Sequence, residues 1–503
     1  MNLLSTCLNR CALRCGLAAA CGLLAIAAAS APALGQCSPQ QLAKLIASDA
    51  ASADQLGFSV AVSGDTAVVG SIRDTHSGAE NAGSAYVFVS IGGVWTQQAK
   101  LIASDARAGA AFGSSITISG DTVVVGAPLH YNAPGDPFIS GSVYVFVRSS
   151  GIWTQQARLA VADANPSDQF GTTVAVSGDT AAAGAAFGDA PGAPNAGALY
   201  VFVRSGGIWT QQAKLTASDA TANEDFGRSL ALSSNTIVVG AYTDDHAGGS
   251  DAGSAYVFVR TGTVWTQQTK LIGFDTADGD NFGKSVVVSG DTALVGAWFD
   301  VHAGGPGSPF NGRGSAYVFA RSGVVWTQQA KLIASDAEGA DFFGHSVALS
   351  GDTAVIGAVG DDHPGVSNAG SAYVFARASA AWTQQAKLIA SDAAAVDQFG
   401  WSVGVSGDTA VVGTYSDDNA AGADAGAAYI FDLGCVAAFC AGDFNGDNMV
   451  TNADIPDFVA AQLAGACPAP PATCPGDFNA DGVVNGADTA GFVAKVLGGG
   501  ACP

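Results

Sequence analysis

Oxygen-bearing side chains recur at fixed intervals in two segments near the end of the chain. The first segment carries Asp443, Asn445, Asp447, Thr451 and Asp454, and the second, offset by 34 residues, carries Asp477, Asn479, Asp481, Asn485 and Asp488. These side chains fall at positions 1, 3, 5, 9 and 12 of a loop whose position 7, Met449 or Val483, offers its backbone carbonyl. Carboxylate, amide and hydroxyl oxygens with this spacing bind Ca²⁺. The sequence therefore predicts two Ca²⁺ sites, and the alternative is a pair of acidic turns that hold no metal.

Each acidic loop leads into an apolar pattern of helical period, at 455–463 and at 489–497. Two loops of EF-hand spacing, each followed by one helix, resemble a type I dockerin. The resemblance implies a small α domain over residues 443–503 and a cohesin-like partner. This chain has Asn452-Ala453 and Gly486-Ala487 where the Ser-Thr pairs of cohesin recognition stand, which leaves that partner open.

The rest of the chain is a repeat of seven copies. Trp-Thr-Gln-Gln recurs with its Trp at 95, 153, 209, 265, 326 and 382, at spacings of 56 to 61 residues. Phe-Gly recurs with its Phe at 112, 170, 226, 282, 343 and 399, and Leu56-Gly57 is an altered first copy. Each copy has four strand-like runs, here called a to d, and a tight Ser-Gly-Asp-Thr turn joins a to b in six copies. Seven units of four antiparallel strands predict a β-propeller, because radial repetition leaves only short edges.

The two ends of the repeat array are complementary. The seventh copy stops after run c at Ala428–Phe431, and Gln41–Leu45 matches the missing run d without its Trp. We expect the N-terminal strand to complete the seventh blade and close the ring. This arrangement would bring Cys37 close to Cys435, and we predict a disulfide between them, with Cys440 as the competing partner; the pairing of Cys467, Cys474 and Cys502 is left open.

The repeated motifs carry a family resemblance. Phe-Gly, then Val-Val-Gly-Ala, then Gly-Ser-Ala-Tyr-Val-Phe resembles the FG-GAP repeat of integrin α-subunit heads, and Asp121–Pro128 reads Asp-Thr-Val-Val-Val-Gly-Ala-Pro. The resemblance covers about residues 40–432 and implies ligand binding or adhesion. The a–b loop is only Ser-Gly-Asp-Thr, so the Asp-rich calcium loops of some relatives are not expected in this propeller.

The N-terminus and the charge balance indicate export. Arg10 and Arg14 precede an apolar run over 15–29, and small residues follow, which predicts a signal peptide over 1–35. A membrane anchor or a lipoprotein at Cys37 are the alternatives. The net charge of −23 disfavours nucleic acid as a partner. We expect a secreted or cell-surface protein without a transmembrane segment in its mature form.

One face of the predicted propeller collects acidic residues. The d–a loops begin with an aspartate at 49, 105, 163, 219, 275, 336 or 392, and six of them carry a second acid before the Phe-Gly position. These acids either attract cations or cap turn amides, and we favour capping. Asp-His pairings such as Asp244-Asp245-His246 in the b–c loops only superficially resemble metal sites. The run-d tryptophans should pack between blades, and the run-d lysines should guard the outer edge.

The predicted architecture is all-β, a seven-bladed propeller over 36–434 closed by the N-terminal strand, a linker over 435–442, and the dockerin-like domain. The favoured function is a non-catalytic binding or adhesion protein for an extracellular glycan or protein. The divergent b–c loops Pro128–Ser140 and Trp298–Gly314 are the expected contacts. The alternatives are a polysaccharide-degrading glycosidase or lyase, its cellulosome-like accessory subunit, and a structural envelope component.

Overall fold

The computed structural model describes residues 39–131, 140–161, 163, 165, 167–301 and 312–434, and the backbone of 449–450 and 500–501. In residues 39–434 it forms seven four-stranded antiparallel sheets, the blades of a propeller. These described residues contain no α-helix, and therefore no helix that is long and apolar enough to cross a membrane. The all-β propeller prediction is confirmed.

The strands follow the a-to-d order of the repeat, with a innermost. The N-terminal strand and blades 1 to 3 are β1 (Gln40–Leu45), β2 (Leu56–Ser63), β3 (Thr66–Ser71), β4 (Ser84–Ile91), β5 (Val94–Leu101), β6 (Ser115–Ser119), β7 (Thr122–Ala127), β8 (Ser142–Ser149), β9 (Ile152–Leu159), β10 (Phe170–Ser177), β11 (Thr180–Ala185), β12 (Ala198–Ser205) and β13 (Ile208–Leu215). Blades 4 and 5 are β14 (Ser229–Ser233), β15 (Thr236–Ala241), β16 (Ser254–Thr261), β17 (Val264–Leu271), β18 (Phe282–Ser289), β19 (Thr292–Ala297), β20 (Ser315–Ser322) and β21 (Val325–Leu332). Blades 6 and 7 and a separate short pair are β22 (Phe343–Ser350), β23 (Thr353–Ala358), β24 (Ser371–Ala378), β25 (Ala381–Leu388), β26 (Ser402–Ser406), β27 (Thr409–Thr414), β28 (Ala427–Asp432), β29 (Met449–Val450) and β30 (Gly500–Ala501).

The hydrophobic core lies between neighbouring blades. In the cluster between blades 1 and 2, Val87 and Leu101 of blade 1 contact the apolar face of blade 2. Phe112 packs there with its ring centroid 5.4 Å from that of Tyr144 and 6.0 Å from that of Phe146. The second strand of every blade is buried almost throughout, as its run of β-branched residues and alanines requires. Each blade is therefore stabilised by its neighbours rather than by a core of its own.

The ring closes as the sequence predicts. Strand β1 pairs antiparallel with β28, in a register that sets Gln41 opposite Phe431 and Leu45 opposite Ala428. Leu45 also belongs to the apolar cluster between blades 7 and 1. The N-terminal strand thus supplies the outer strand of blade 7, which confirms the prediction.

The run-d tryptophans pack between blades, as expected. Trp153 lies against the cluster between blades 1 and 2, and its indole N–H donates a 2.8 Å hydrogen bond to Gln98 Oε1 of blade 1. The guanidinium of Arg148 lies 5.1 Å from the Trp153 ring centroid. The same tryptophan–glutamine bond recurs from Trp209, Trp265 and Trp326.

Several predictions fall on parts of the chain outside the described residues. They are the signal peptide, Cys37, Cys435, Cys440, Cys467, Cys474 and Cys502, the linker, and the two calcium loops apart from the backbone of Met449. Strand β29 pairs with β30. The disulfide and the α domain with its Ca²⁺ sites remain predictions.

Because β1 closes the ring, we expect a single buried side chain of this strand to contribute to the stability of the whole propeller. Leu45 is 3% exposed, and Leu45→Ala is expected to lower the free energy of unfolding by about 2–4 kcal/mol because it leaves a cavity between blades. Leu42, 48% exposed on the same strand, is the matched control, and its replacement by alanine should cost less than about 0.5 kcal/mol. Chemical denaturation measures both, and equal losses would contradict a closing role for β1.

Candidate functional site

The seven inner strands surround a central cavity of about 810 Å³. Each inner strand follows a d–a loop, so its first residues lie at the mouth of the cavity on the face of the d–a and b–c loops. The residue immediately after each Phe-Gly position lines this mouth once per blade. In blade order these residues are Phe58, Ser114, Thr172, Arg228, Lys284, His345 and Trp401.

The mouth is strongly asymmetric in its chemistry. Blades 2 and 3 contribute the small Ser114 and Thr172, whereas blades 4 to 7 and blade 1 contribute cationic and aromatic side chains. The residue after strand b adds further aromatic rings in the same sector. We call this sector the arc; its members are Phe58, Arg228, Tyr242, Lys284, Trp298, His345, Trp401 and Tyr415. All eight are only partly buried, so the arc has surface that a ligand can reach.

Ring-to-ring contacts join the aromatic members of the arc. The Trp401 centroid lies 5.7 Å from Phe58, 4.5 Å from Tyr415 and 4.5 Å from His345. His345 in turn lies 5.4 Å from Trp298. Aromatic side chains in such contact support one another with little loss of side-chain entropy, so the wall of the mouth is preorganised across four blades.

The ammonium group of Lys284 lies within this wall without a counter-charge in contact. Its Nζ is 4.6 Å from the Trp298 ring centroid and 5.4 Å from that of Tyr242. Among the described residues it makes no ion pair and no hydrogen bond. Burial, together with the charge of Arg228 and against the weaker effect of Asp225, lowers the pKa of Lys284 to about 8. Cation–π contacts compensate this cation only in part.

His345 does not add a third positive charge. Burial lowers the pKa of His345 to about 3, with a further contribution from Lys284, so the imidazole is neutral at physiological pH. Its Nδ1 lies 3.2 Å from the carbonyl oxygen of Trp401, and we assign the proton to Nδ1, which donates to that oxygen. The positive charge of the arc therefore resides in Lys284 and Arg228, whose guanidinium is 4.0 Å from Asp225.

The outer lysines on the same face are paired, in contrast to Lys284. Lys100 Nζ lies 2.7 Å from Asp49 and 2.9 Å from Asp74, and the Tyr86 hydroxyl lies within hydrogen-bond distance of both carboxylates. Burial would raise the pKa of Asp49, but the bonds from Lys100 and Tyr86 outweigh it and lower the pKa. Lys44, Lys270, Lys331 and Lys387 each bridge two aspartates in the same way. These lysines lie on the outer strands, as expected, and their ammonium groups are held in a salt-bridge network; their edge-guarding role stays a prediction.

The acids of the d–a loops divide into two groups. The first aspartate of a loop, such as Asp49, accepts hydrogen bonds from side chains, whereas we expected it to cap the amides of its own turn. The second acid caps a turn as expected, since Asp54 accepts a 2.7 Å bond from the Ala51 amide. Asp168, Asp280, Asp341 and Asp397 repeat this bond. Burial raises the pKa of Asp280 to about 7.

The Asp-His pairings of the b–c loops belong to turn structure. Asp244 contacts Ser254 and Lys270, and Asp245 accepts a 2.8 Å bond from the Asp251 amide. His246 uses both ring nitrogens, one accepting from the Gly248 amide and the other facing the Gly253 carbonyl. No group of three His, Cys, Asp or Glu suited to a metal occurs in the described part of the chain. His302 lies outside it.

Most residues of the arc are not among the ligand contacts that the sequence predicts. Of the two b–c loops expected to contact a ligand, the described ends contribute Pro128 and Leu129 to the cavity lining and Trp298 to the arc. Residues 132–139 and 302–311 of these loops lie outside the described residues. The inner-strand positions were overlooked. Their signal is present in the sequence, because the residue after Phe-Gly varies from Ser to Arg and Trp inside an otherwise uniform motif.

A comparison with protein families agrees with the seven-fold repeat. The FG-GAP repeat model matches the chain in seven segments, residues 39–88, 95–146, 153–202, 209–258, 265–319, 326–375 and 382–431. Among solved structures, Sqt1 of Saccharomyces cerevisiae is similar at 10% identity and a TM-score of 0.43, over 78% of this chain and 99% of that one. No curated protein matches the chain significantly.

Lys284 is expected to reduce the stability of the protein. Because its folded pKa, about 8, lies below the unfolded value of 10.5, the unfolded chain holds the proton more tightly. Lys284→Met should raise the free energy of unfolding at pH 7 by about 2–3 kcal/mol, and this gain should shrink as the pH rises from 8 to 10.5. Urea denaturation across that pH range measures the effect.

Lys331→Met is the matched control, since it removes an ammonium held 2.7 Å from Asp275 and 2.6 Å from Asp300. This variant should be less stable than the wild-type protein at pH 7, because the buried carboxylate of Asp300 loses its ion pair with Lys331. A Lys284→Met variant less stable than the wild type at pH 7 would contradict the assignment of Lys284 as an uncompensated cation.

Proposed function

The chain belongs to the FG-GAP repeat family, and we propose that it is an exported, non-catalytic binding protein whose propeller takes its ligand at the arc. The asymmetry of the cavity mouth carries this proposal. Seven near-identical repeats would give seven equivalent mouth residues, yet one sector concentrates rings and two cations. Since no repeat-wide structural role requires these side chains, a ligand is the simplest reason for them.

The chemistry of the arc favours binding over catalysis. Its rings contact one another, and its histidine is neutral and bonded to a backbone carbonyl. General acid–base catalysis needs groups whose pKa lies near the working pH and whose geometry converges on one reacting atom. Lys284 meets the first condition, which keeps a polysaccharide-degrading enzyme as the alternative. No second such group faces it among the described members of the arc.

Export is supported by the N-terminal pattern and by the register of ring closure. Gln40 pairs with Asp432, so Cys37 and Cys435 each lie three residues beyond the same strand pair. This symmetry supports the proposed disulfide, which would fasten the closing strand, with Cys440 as the competing partner. Such a bridge persists in an oxidising compartment, where exported proteins reside.

The C-terminal segment is proposed to be a dockerin-like domain that binds two Ca²⁺ ions. Its support is the donor set, because the first loop offers carboxylate, amide and hydroxyl oxygens, and the second offers carboxylate and amide oxygens, at the positions that Ca²⁺ requires. Calcium would order the domain by neutralising carboxylates that otherwise repel one another. The domain would then attach the propeller to a cohesin-like module, or stabilise it on a surface.

The binding function is tested by a glycan and protein array, with and without Ca²⁺, beside a polysaccharide-degradation assay. We expect an extracellular ligand whose affinity falls about 10-fold or more in Trp401→Ala, since a buried aromatic contact contributes about 1.5–3 kcal/mol. Thr172→Ala, at the equivalent position of blade 3, is the control and should bind normally. Release of reducing ends or unsaturated sugars would show that the protein is an enzyme.

The calcium proposal predicts two ions per chain in calorimetric titration of the full-length protein. Asp447→Ala and Asp481→Ala should each remove one ion, because each deletes a carboxylate ligand at loop position 5. Asp245→Ala, in a propeller turn, is the control and should leave both ions bound. A wild-type chain that binds no Ca²⁺, or a loss in the control, would refute the assignment.

A further inference from the structure

The positive charge of the arc is only partly neutralised by protein groups in contact with it. Lys284 has aromatic neighbours at 4.6 and 5.4 Å, and Arg228 has only Asp225, at 4.0 Å. Elsewhere on this face the lysines lie below 3 Å from one or two carboxylates. An unpaired cation in a partly desolvated site costs stability, and proteins retain such costs mainly where function requires them.

The surroundings of these cations restrict the charge of a ligand. Asp225, Asp251 and Asp278 lie beside the arc, and burial together with neighbouring carboxylates raises the pKa of Asp251. The chain as a whole carries a net charge of −23. A polyanion would meet this acidic rim along its length and be repelled, whereas a single negative group can reach the two cations while the rest of the ligand stays neutral.

The rings of the arc restrict the shape of a ligand. Phe58, Trp401 and Tyr415 offer a partly exposed apolar wall that continues through His345 to Trp298, whose ring centroid lies 4.6 Å from Lys284 Nζ. The cavity of about 810 Å³ has room for a ligand of one or two rings at the mouth. A ligand with an apolar ring face and polar edges fits such a wall. The face of the ligand packs on the aromatic side chains, and its hydrogen-bonding groups remain at the rim.

We propose that the arc binds a singly charged acidic sugar residue, with its carboxylate at Lys284 and Arg228 and its ring against the aromatic wall. This assignment rests on the proposed binding function and names the ligand class of the same site. The guanidinium of Arg228 suits a planar carboxylate, and the ammonium of Lys284 supplies a second point charge. The carboxylate would replace the counter-charge that the arc lacks.

A matched pair of ligands tests the proposal on the full-length protein. Methyl β-glucuronide and methyl β-glucoside differ only in a carboxylate against a hydroxymethyl group. Calorimetry or ligand-observed NMR should show the glucuronide binding about 10-fold or more tightly, as expected for a charge-assisted pair. Lys284→Thr, which installs the residue of blade 3, should reduce the glucuronide to the affinity of the glucoside. Thr172→Ala is the control and should preserve the preference.

The outcomes separate this proposal from the function on which it rests. Equal binding of the two sugars, binding of neither, or a preference that survives Lys284→Thr each overturns the acidic-sugar assignment. If another ligand still binds in a manner that depends on Trp401, the binding function stands without it. If no ligand depends on any residue of the arc, both proposals fail.

Discussion

The propeller depends on close approach between the backbones of successive blades. A Cβ atom placed on Gly70 of blade 1 would lie 2.1 Å from the carbonyl oxygen of Gly113 in blade 2, far inside any tolerated contact. Gly113 itself has a φ of +92°, a conformation that side chains disfavour. Ser59 donates a 2.7 Å hydrogen bond to the same Gly113 oxygen. The pair of glycines recurs at all seven interfaces, including the one between Gly413 and Gly57 that closes the ring. Any side chain there would force the blades apart.

The glycine contacts between blades explain how a nearly uniform repeat can present different side chains at the cavity mouth. The glycine pair fixes the start of every inner strand, so the next residue always reaches the cavity mouth. That residue is not itself part of the interlock, and it can vary without cost to the blade packing. In blade 5 it is Lys284, in blade 7 it is Trp401, and in blade 3 it is Thr172. The scaffold thus separates the residues that hold the ring together from the residues that define its mouth.

Much of the fold could be predicted from the sequence, because its causes are local and repeated. The spacing of the repeat is enough to predict the Phe-Gly positions, the two-residue turns and the displaced outer strand. Strand β1 lies where that spacing requires. The arc could not be predicted in the same way. Its members are far apart in sequence and meet only because the ring closes, so Phe58 contacts Trp401 across nearly the whole chain. The loops Pro128–Ser140 and Trp298–Gly314 are predicted as ligand contacts because their sequences diverge, yet Trp298 belongs to the arc through its position directly after a strand.

The two kinds of lysine show why composition alone misleads about this surface. Lys100 and Lys284 are both lysines on the same face, and both are partly buried, but their neighbours differ in charge. Burial alone would lower the pKa of Lys100, yet two aspartates raise it, whereas Lys284 has only rings and another cation, and its pKa falls. The acidic excess of the chain is therefore not a uniform field over this face. Many of the aspartates on this face are paired with the outer lysines. The cavity mouth is therefore a local positive site surrounded by a negative rim. For the proposed binding function, such an arrangement would select ligands by the placement of a single charge rather than by total charge.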